Sequence, residues 1–234
     1  MLEIQELNRE VGVMVPVLLK MLPFAFGTIT PTMIGLIVLF LTGAQGLVKS
    51  FSFILGKYII YVLFGLLFLN VTDFISSIDS VGTHAIVEIF FLIFGLLLLI
   101  LAVRSFFGED DTDTPPPKFM TILDQTGPVK LFGFGIAISI MQPRFIILIL
   151  AGASIIAEAT LPASENFISI LVLALLMVWV MFIPIIVFLV MGKRRTSAMK
   201  SMREWLVTNQ RMINVVVMFF FGILMIILGL SRIF

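Results

Sequence analysis

The chain has 234 residues, of which 60% are hydrophobic and only 12% are charged, and its formal net charge is +1. A soluble domain carries about 25% charged residues, so this composition excludes an ordinary soluble globular protein and indicates several membrane-spanning helices. The absence of cysteine excludes disulfides, thiol relays and thiolate metal sites.

The chain begins with a short amphipathic stretch. This stretch is Glu3–Val11, and Leu2 directly precedes it. On a helix, Leu2, Leu7 and Val11 would fall on roughly one face. This pattern predicts a short helix at the membrane interface, on the outer side in the topology given below. The N-terminus is acidic and lacks the basic region of a cleavable signal peptide, so we expect the first apolar segment to be retained.

Six apolar segments follow, each long enough to cross about 30 Å of hydrocarbon, which needs roughly 20 residues. In chain order they are Val15–Leu41, Leu47–Leu69, Ala85–Phe106, Leu131–Ala157, Phe167–Met191 and Met212–Leu230. The sequence therefore predicts an all-α integral membrane protein with six transmembrane helices.

The longest connection, residues 107–129, divides the segments into three and three. It contains an acidic run at Glu109–Asp113 and three prolines at Pro115–Pro117, which favour an extended cytoplasmic linker. Because three is odd, the two triplets must cross the bilayer in opposite directions. We therefore predict two inverted three-helix repeats, residues 1–106 and 130–234, joined by this linker.

Segments three and six support this repeat. Phe94–Val103 and Phe221–Leu230 are identical at half of their ten aligned positions, and both begin with Phe-Gly.

Basic residues predict the orientation. The connection after segment five is rich in lysine and arginine from Lys193 to Arg211, whereas the connections after segments two and four have neither residue. The basic connection should face the cytoplasm, which places both termini outside the cell membrane. Within this connection, Thr196–Met212 predicts an amphipathic helix lying on the inner membrane surface.

Each half has a proline beside polar residues in its first segment, where a break in the helix would free backbone carbonyls. In lipid such breaks are tolerated where protein or a water-filled cavity satisfies them, and paired breaks point to a transport site. The candidate substrate-binding residues are Thr28, Thr30, Pro31, Thr32, Lys57, Ser139, Gln142, Pro143 and Arg144.

Two of these residues are deep charges, and both are positive. Lys57 lies well inside segment two, and Arg144 directly follows Pro143 in segment four. Together they would form a site for an anionic group such as a carboxylate or phosphate. The structural alternative is that Lys57 pairs with a carbonyl freed by a kink and that Arg144 reaches the cytoplasmic interface.

Short motifs carry a resemblance to a known family. They are Gly27-x3-Pro31, Phe53–Gly56, Ser139–Arg144, Pro184 and Trp205. In this arrangement the chain resembles the GAP (Sap) family of the lysine exporter superfamily. Gln142-Pro143-Arg144 stands where that family has an Asn-Pro-Lys-like element. The resemblance implies export of small molecules or lipid-linked products, such as the glycopeptidolipids that the family is associated with in mycobacteria.

The leading hypothesis is a secondary transporter, an exporter of a small anionic or zwitterionic molecule or a lipid-linked product, working by alternating access. A lipid-interacting or assembly subunit of a larger export complex is the alternative. A divalent-cation exporter is less favoured, because acidic residues deep in the spans are missing. No enzymatic motif, metal site or cofactor is expected. The expected partners are membrane lipids and the substrate, a homodimer is left open, and no nucleic acid is expected.

Overall fold

The computed structural model describes residues 16–17, 19–22, 24, 27–78, 82–107, 126–159 and 161–233. Within these ranges every regular element is helical, and none is a strand. The predicted interfacial helix Glu3–Val11 and the acidic and proline-rich part of the linker lie outside the described residues.

Eight α-helices are defined within the described ranges, and prolines mark several of their boundaries. The helices are α1 Pro31–Thr42, α2 Gly46–Ile78, α3 Gly82–Phe107, α4 Pro128–Met141, α5 Pro143–Glu158, α6 Ala163–Val178, α7 Phe182–Val190 and α8 Arg195–Ile233. Three of them, α1, α4 and α5, begin with proline, which suits the first helical position because its missing N–H has no helical partner there. A 3-10 turn, Trp179–Met181, joins α6 to α7 just before Pro184.

Three helical stretches in the described part of the chain are long and apolar enough to cross a membrane. They are Gly46–Thr72, Ala163–Val190 and Thr208–Leu230. A fourth crossing results if α4 and α5, which are bent by 78° relative to each other, form one broken span. The first and third predicted segments contribute shorter apolar helices, Pro31–Thr42 and Leu92–Phe107, so six spans remain a prediction.

Helix α8 differs from the sequence-based expectation. The predicted surface helix Thr196–Met212 is continuous with segment six, in one helix of 39 residues. At about 1.5 Å per residue, α8 is about 58 Å long and exceeds the roughly 30 Å of hydrocarbon. Met199 and Leu206 on its apolar face are buried within the protein. These two side chains pack against other helices, whereas Trp205 is exposed, so the stripe is shared between the protein and its surroundings.

Two helix pairs approach closely through glycines. A Cβ on Gly56 of α2 would overlap the Phe132 carbonyl oxygen of α4, and one on Gly135 of α4 would overlap the Phe53 carbonyl oxygen of α2. In the same reciprocal way, a Cβ on Gly95 of α3 would lie 3.0 Å from the Gly222 oxygen of α8, and one on Gly222 would lie 3.1 Å from the Gly95 oxygen. Small residues therefore allow the backbones of both pairs to meet.

The outer surface carries many large apolar side chains. They are distributed over several helices and include Leu55, Leu63, Leu67, Ile93, Leu96, Ile186, Val216, Phe219, Phe220 and Ile227. Water would not accommodate so much exposed apolar surface, but lipid would. The exterior thus supports contact with membrane lipids.

Candidate functional site

Both prolines lie at breaks between two helices. The described residues from 16 to 27 are helical, Thr28–Thr30 are not, and Pro31 begins α1. In the second half, α4 ends at Met141, Gln142 is extended, and Pro143 begins α5. Thr30 and Gln142 both have extended backbones, which is the conformation favoured directly before proline. Each proline therefore interrupts its segment, as the sequence predicts.

A direct hydrogen bond joins the two breaks. The Arg144 Nη2 atom donates to the Thr30 Oγ1 atom at 2.9 Å. Both side chains are buried, with exposed fractions of 6% and 0%. Arg144 therefore points into the protein, which argues against the alternative in which it reaches the cytoplasmic interface.

Lys57 lies near the middle of the span Gly46–Thr72 and is completely buried. Its Nζ atom lies over three aromatic rings, 5.9 Å from the Phe53 centroid, 5.4 Å from Tyr61 and 4.8 Å from Phe145. Among the described residues, Nζ has no hydrogen-bond acceptor. The alternative in which a kink carbonyl accepts from Lys57 therefore finds no partner in the described chain. We call Lys57 and these three rings the lysine cage.

The lysine cage connects Lys57 to Arg144. The Arg144 Cζ atom lies 5.0 Å from the centroid of the Phe145 ring that Lys57 also contacts. Phe145 follows Arg144 directly at the start of α5, so one turn of helix supplies both a cation and a shared aromatic surface. The two deep cations therefore lie in one site, on a shared aromatic ring.

All the candidate residues with described side chains are buried, namely Thr28, Thr30, Pro31, Thr32, Lys57, Ser139, Gln142 and Arg144. The Pro143 side chain lies outside the described set. Ser139 donates to the Gly135 carbonyl of its own helix, 2.8 Å away. Because the hydrogen of its hydroxyl is already donated within the helix, Ser139 is the candidate least suited to hold a ligand.

Four residues near the site were not among the predicted ones. Phe53 and Tyr61 stand four residues before and after Lys57, a spacing that puts all three on one face of α2. This spacing could have identified them from the sequence. Phe145 and Gln210 could not be found in that way, because they belong to other helices. The Gln210 Nε2 atom of α8 donates to the Thr32 Oγ1 atom at 3.3 Å.

The described residues include no group of three or more histidine, cysteine or acidic side chains placed to hold a metal ion. The chemistry of the site therefore comes from two cations, aromatic rings, hydroxyls and amides. Such a set can attract and hold an anionic group.

The fold and site together define an all-helical membrane protein with a buried, positively charged centre at two interrupted helices. The family described as SfLAP, "Sap, sulfolipid-1-addressing protein", matches residues 21–231. The chain belongs to this family. Membership and the apolar helices fit a membrane protein involved in lipid export. No curated protein and no solved structure matches the chain.

Proposed function

We propose that the protein is a secondary transporter that exports a small anionic or zwitterionic molecule, or a lipid-linked product, by alternating access. The observation that carries the proposal is the buried ammonium of Lys57, which has no hydrogen-bond acceptor in the described chain. The protein is proposed to act as a carrier and not as an enzyme.

Burial of the Lys57 ammonium carries an energetic cost. A cation removed from water is strongly destabilising unless an opposite charge or hydrogen bonds compensate it. Three aromatic rings supply part of this compensation, worth roughly 2 kcal/mol or more for a desolvated contact. Arg144 near the same ring adds repulsion. An anionic group of a ligand would supply the missing partner.

The interrupted helices add to the positive electrostatic potential of the site. The N-termini of α1 and α5 begin at the two breaks, and a helix N-terminus carries a partial positive charge. Neither Thr30 nor Gln142 caps its own helix with its side chain. Anionic groups are stabilised at such half-helix ends in transporters with broken helices.

Two inverted repeats, which we propose for this chain, would allow alternating access. Pro31 and Pro143 begin helices at corresponding places of the two halves, and Gly95 and Gly222 occupy matched positions of the repeated sequence. These two glycines lie against each other's backbone. Mutual contact of matched residues is what a two-fold axis between inverted repeats would produce. We propose six spans in two such repeats, as in the lysine exporter superfamily.

The family description supports an anionic substrate. It names a sulfolipid, and a sulfate group carries the negative charge that Lys57 and Arg144 would attract. We propose that the substrate of this chain likewise has a permanent anionic group.

The proposal is tested by lipid translocation in proteoliposomes. The probes are fluorescent sulfatide and the matched fluorescent galactosylceramide, which lacks only the sulfate. We expect the protein to move sulfatide at least tenfold faster than protein-free vesicles do, and Lys57→Met and Arg144→Gln to lose this gain. Lys130→Met, at an exposed position of α4, is the matched control and should keep it. Equal rates for the two lipids, or wild-type rates for Lys57→Met, would contradict the proposal.

The alternative is a lipid-interacting or assembly subunit of a larger export complex. One observation favours it: α8 extends beyond the length of a span and carries exposed basic residues near its start, including Arg195 and Lys200. Such an extension could bind a partner or anionic headgroups. A subunit of this kind would bind sulfatide or a partner protein without moving sulfatide in the same proteoliposomes.

A further inference from the structure

We infer that Asn214 of α8 accepts a hydrogen bond from a hydroxyl group of the ligand, so that the ligand is an anion with a neighbouring hydroxyl. The inference rests on the proposed function and narrows it, because it selects a hydroxyl-bearing anion over a zwitterion. Asn214 belongs to the last predicted segment, far along the sequence from every residue that the sequence assigns to the site.

The position of Asn214 follows from the contacts of α8 with the first interrupted segment. Gln210 donates to Thr32, and a Cβ on Gly27 would lie 3.2 Å from the Phe221 ring. At 100° per residue, Gln210, Asn214 and Phe221 fall within about 40° on one face of α8. Asn214 is thus on the face that meets this segment, at a level between those of Thr32 and Gly27. That level is the break at Thr28–Thr30.

Asn214 has an unmet hydrogen-bonding requirement at this level. The side chain is 1% exposed, and its Oδ1 atom has no donor among the described residues. A buried amide oxygen without a donor costs about 1–3 kcal/mol. The nearby Thr30 hydroxyl already donates to the Thr28 carbonyl, 3.2 Å away, and accepts from Arg144. It therefore has no hydrogen left for Asn214.

The charge of the site decides which kind of donor fits. Lys57 and Arg144 disfavour an ammonium group, because like charges repel in a region of low dielectric. A hydroxyl is neutral and offers the same hydrogen. The anionic part of the ligand would face the cations, while its hydroxyl would reach Asn214.

The test compares two lipids of equal charge in binding to the purified full chain in nanodiscs. Phosphatidylglycerol carries free hydroxyls on its headgroup, and phosphatidylmethanol has none. We expect the wild type to bind phosphatidylglycerol about tenfold more tightly and Asn214→Leu to bind both equally. Asn214→Asp keeps an acceptor oxygen and adds a negative charge, so it should keep the preference while binding both lipids more weakly. Asn209→Leu, on another face of α8, is the control and should behave as the wild type.

The outcomes separate this inference from the proposed function. An unchanged preference in Asn214→Leu would overturn the role of Asn214, even if Lys57→Met abolishes the binding of both lipids. Equal weakening of both lipids in Asn214→Leu would assign the amide to the anionic group and would also overturn it. Should Asn214→Leu fail to give folded protein, Asn214→Asp decides: loss of the preference there contradicts the inference.

Discussion

Arg144 and Thr30, 114 positions apart in the sequence, are joined by a buried hydrogen bond of 2.9 Å between the two interrupted helices. Each residue is adjacent to one of the two helix-breaking prolines. The contact therefore ties the halves of the protein together at the point where both backbones lose helical structure.

Replacing Thr30 with valine removes the acceptor while keeping the shape of the side chain. A hydrogen bond to a charged group is worth about 1.5–3 kcal/mol, so we expect the free energy of unfolding to fall by an amount in this range. The measurement is unfolding in mixed micelles of increasing SDS content. Thr42→Val is the control, since its hydroxyl is exposed and donates locally to the Leu39 carbonyl, and it should change stability by less than about 0.5 kcal/mol. Equal effects of the two variants would contradict a bridging role for Thr30.

Replacing Lys57 with methionine should stabilise the protein while removing its function. Methionine has a similar length and is compatible with the surrounding aromatic rings, whereas the ammonium is buried without an acceptor in the described chain. We expect the free energy of unfolding to rise by about 1 kcal/mol or more, together with loss of sulfatide translocation. A fall in stability would mean that Lys57 serves the fold and not a ligand.

Gly56 tests the close approach of α2 and α4. An alanine there would overlap the Phe132 carbonyl oxygen, so Gly56→Ala should lower the free energy of unfolding by about 1–3 kcal/mol. Gly133→Ala is the matched control, because Gly133 is also helical but a Cβ there would have open space around it. It should be neutral or stabilise by up to about 1 kcal/mol, since alanine favours helix. If Gly56→Ala were as stable as Gly133→Ala, the two helices would not meet there.

Arg211 should stabilise the end of α3. Its guanidinium donates to the Ser105 carbonyl at 3.0 Å and to the Phe106 carbonyl, in the last turn of that helix. Cations in such positions satisfy free carbonyls and the helix dipole, so Arg211→Leu should cost about 1 kcal/mol. Lys200→Leu removes an exposed ion pair with Glu204 and should cost less than about 0.5 kcal/mol. Similar losses in both variants would argue against this capping.

The predicted orientation can be tested with single cysteines, because the chain has none of its own. Ser197→Cys, within the basic connection, should react with a membrane-impermeant maleimide only after the cells are opened. Ala163→Cys, at the start of α6, should react in intact cells. Both positions are exposed in the structure. The reverse pattern would invert the topology and place the termini in the cytoplasm.

The sequence determined that this is a helical membrane protein and where two of its helices are interrupted. A continuous apolar segment of about 20 residues crosses lipid as a helix, which satisfies its backbone hydrogen bonds within the segment, and a proline cannot continue that hydrogen bonding. Both features therefore follow from local chemistry. The sequence also identified Lys57 and Arg144, because a charge within an apolar segment is conspicuous without any structure. It misassigned Thr196–Met212 as a separate helix, since an amphipathic stripe looks the same against lipid or protein.

Only the tertiary structure decided which of these residues meet. Arg144 contacts Thr30, and Phe145 lies against Lys57, because the packing of α1, α2 and α5 brings distant parts of the chain together. The face of α8 that carries Asn214 is likewise set by the packing of α8 against the first interrupted segment. Contacts of this kind depend on the sum of all helix packings, which no local pattern of residues contains.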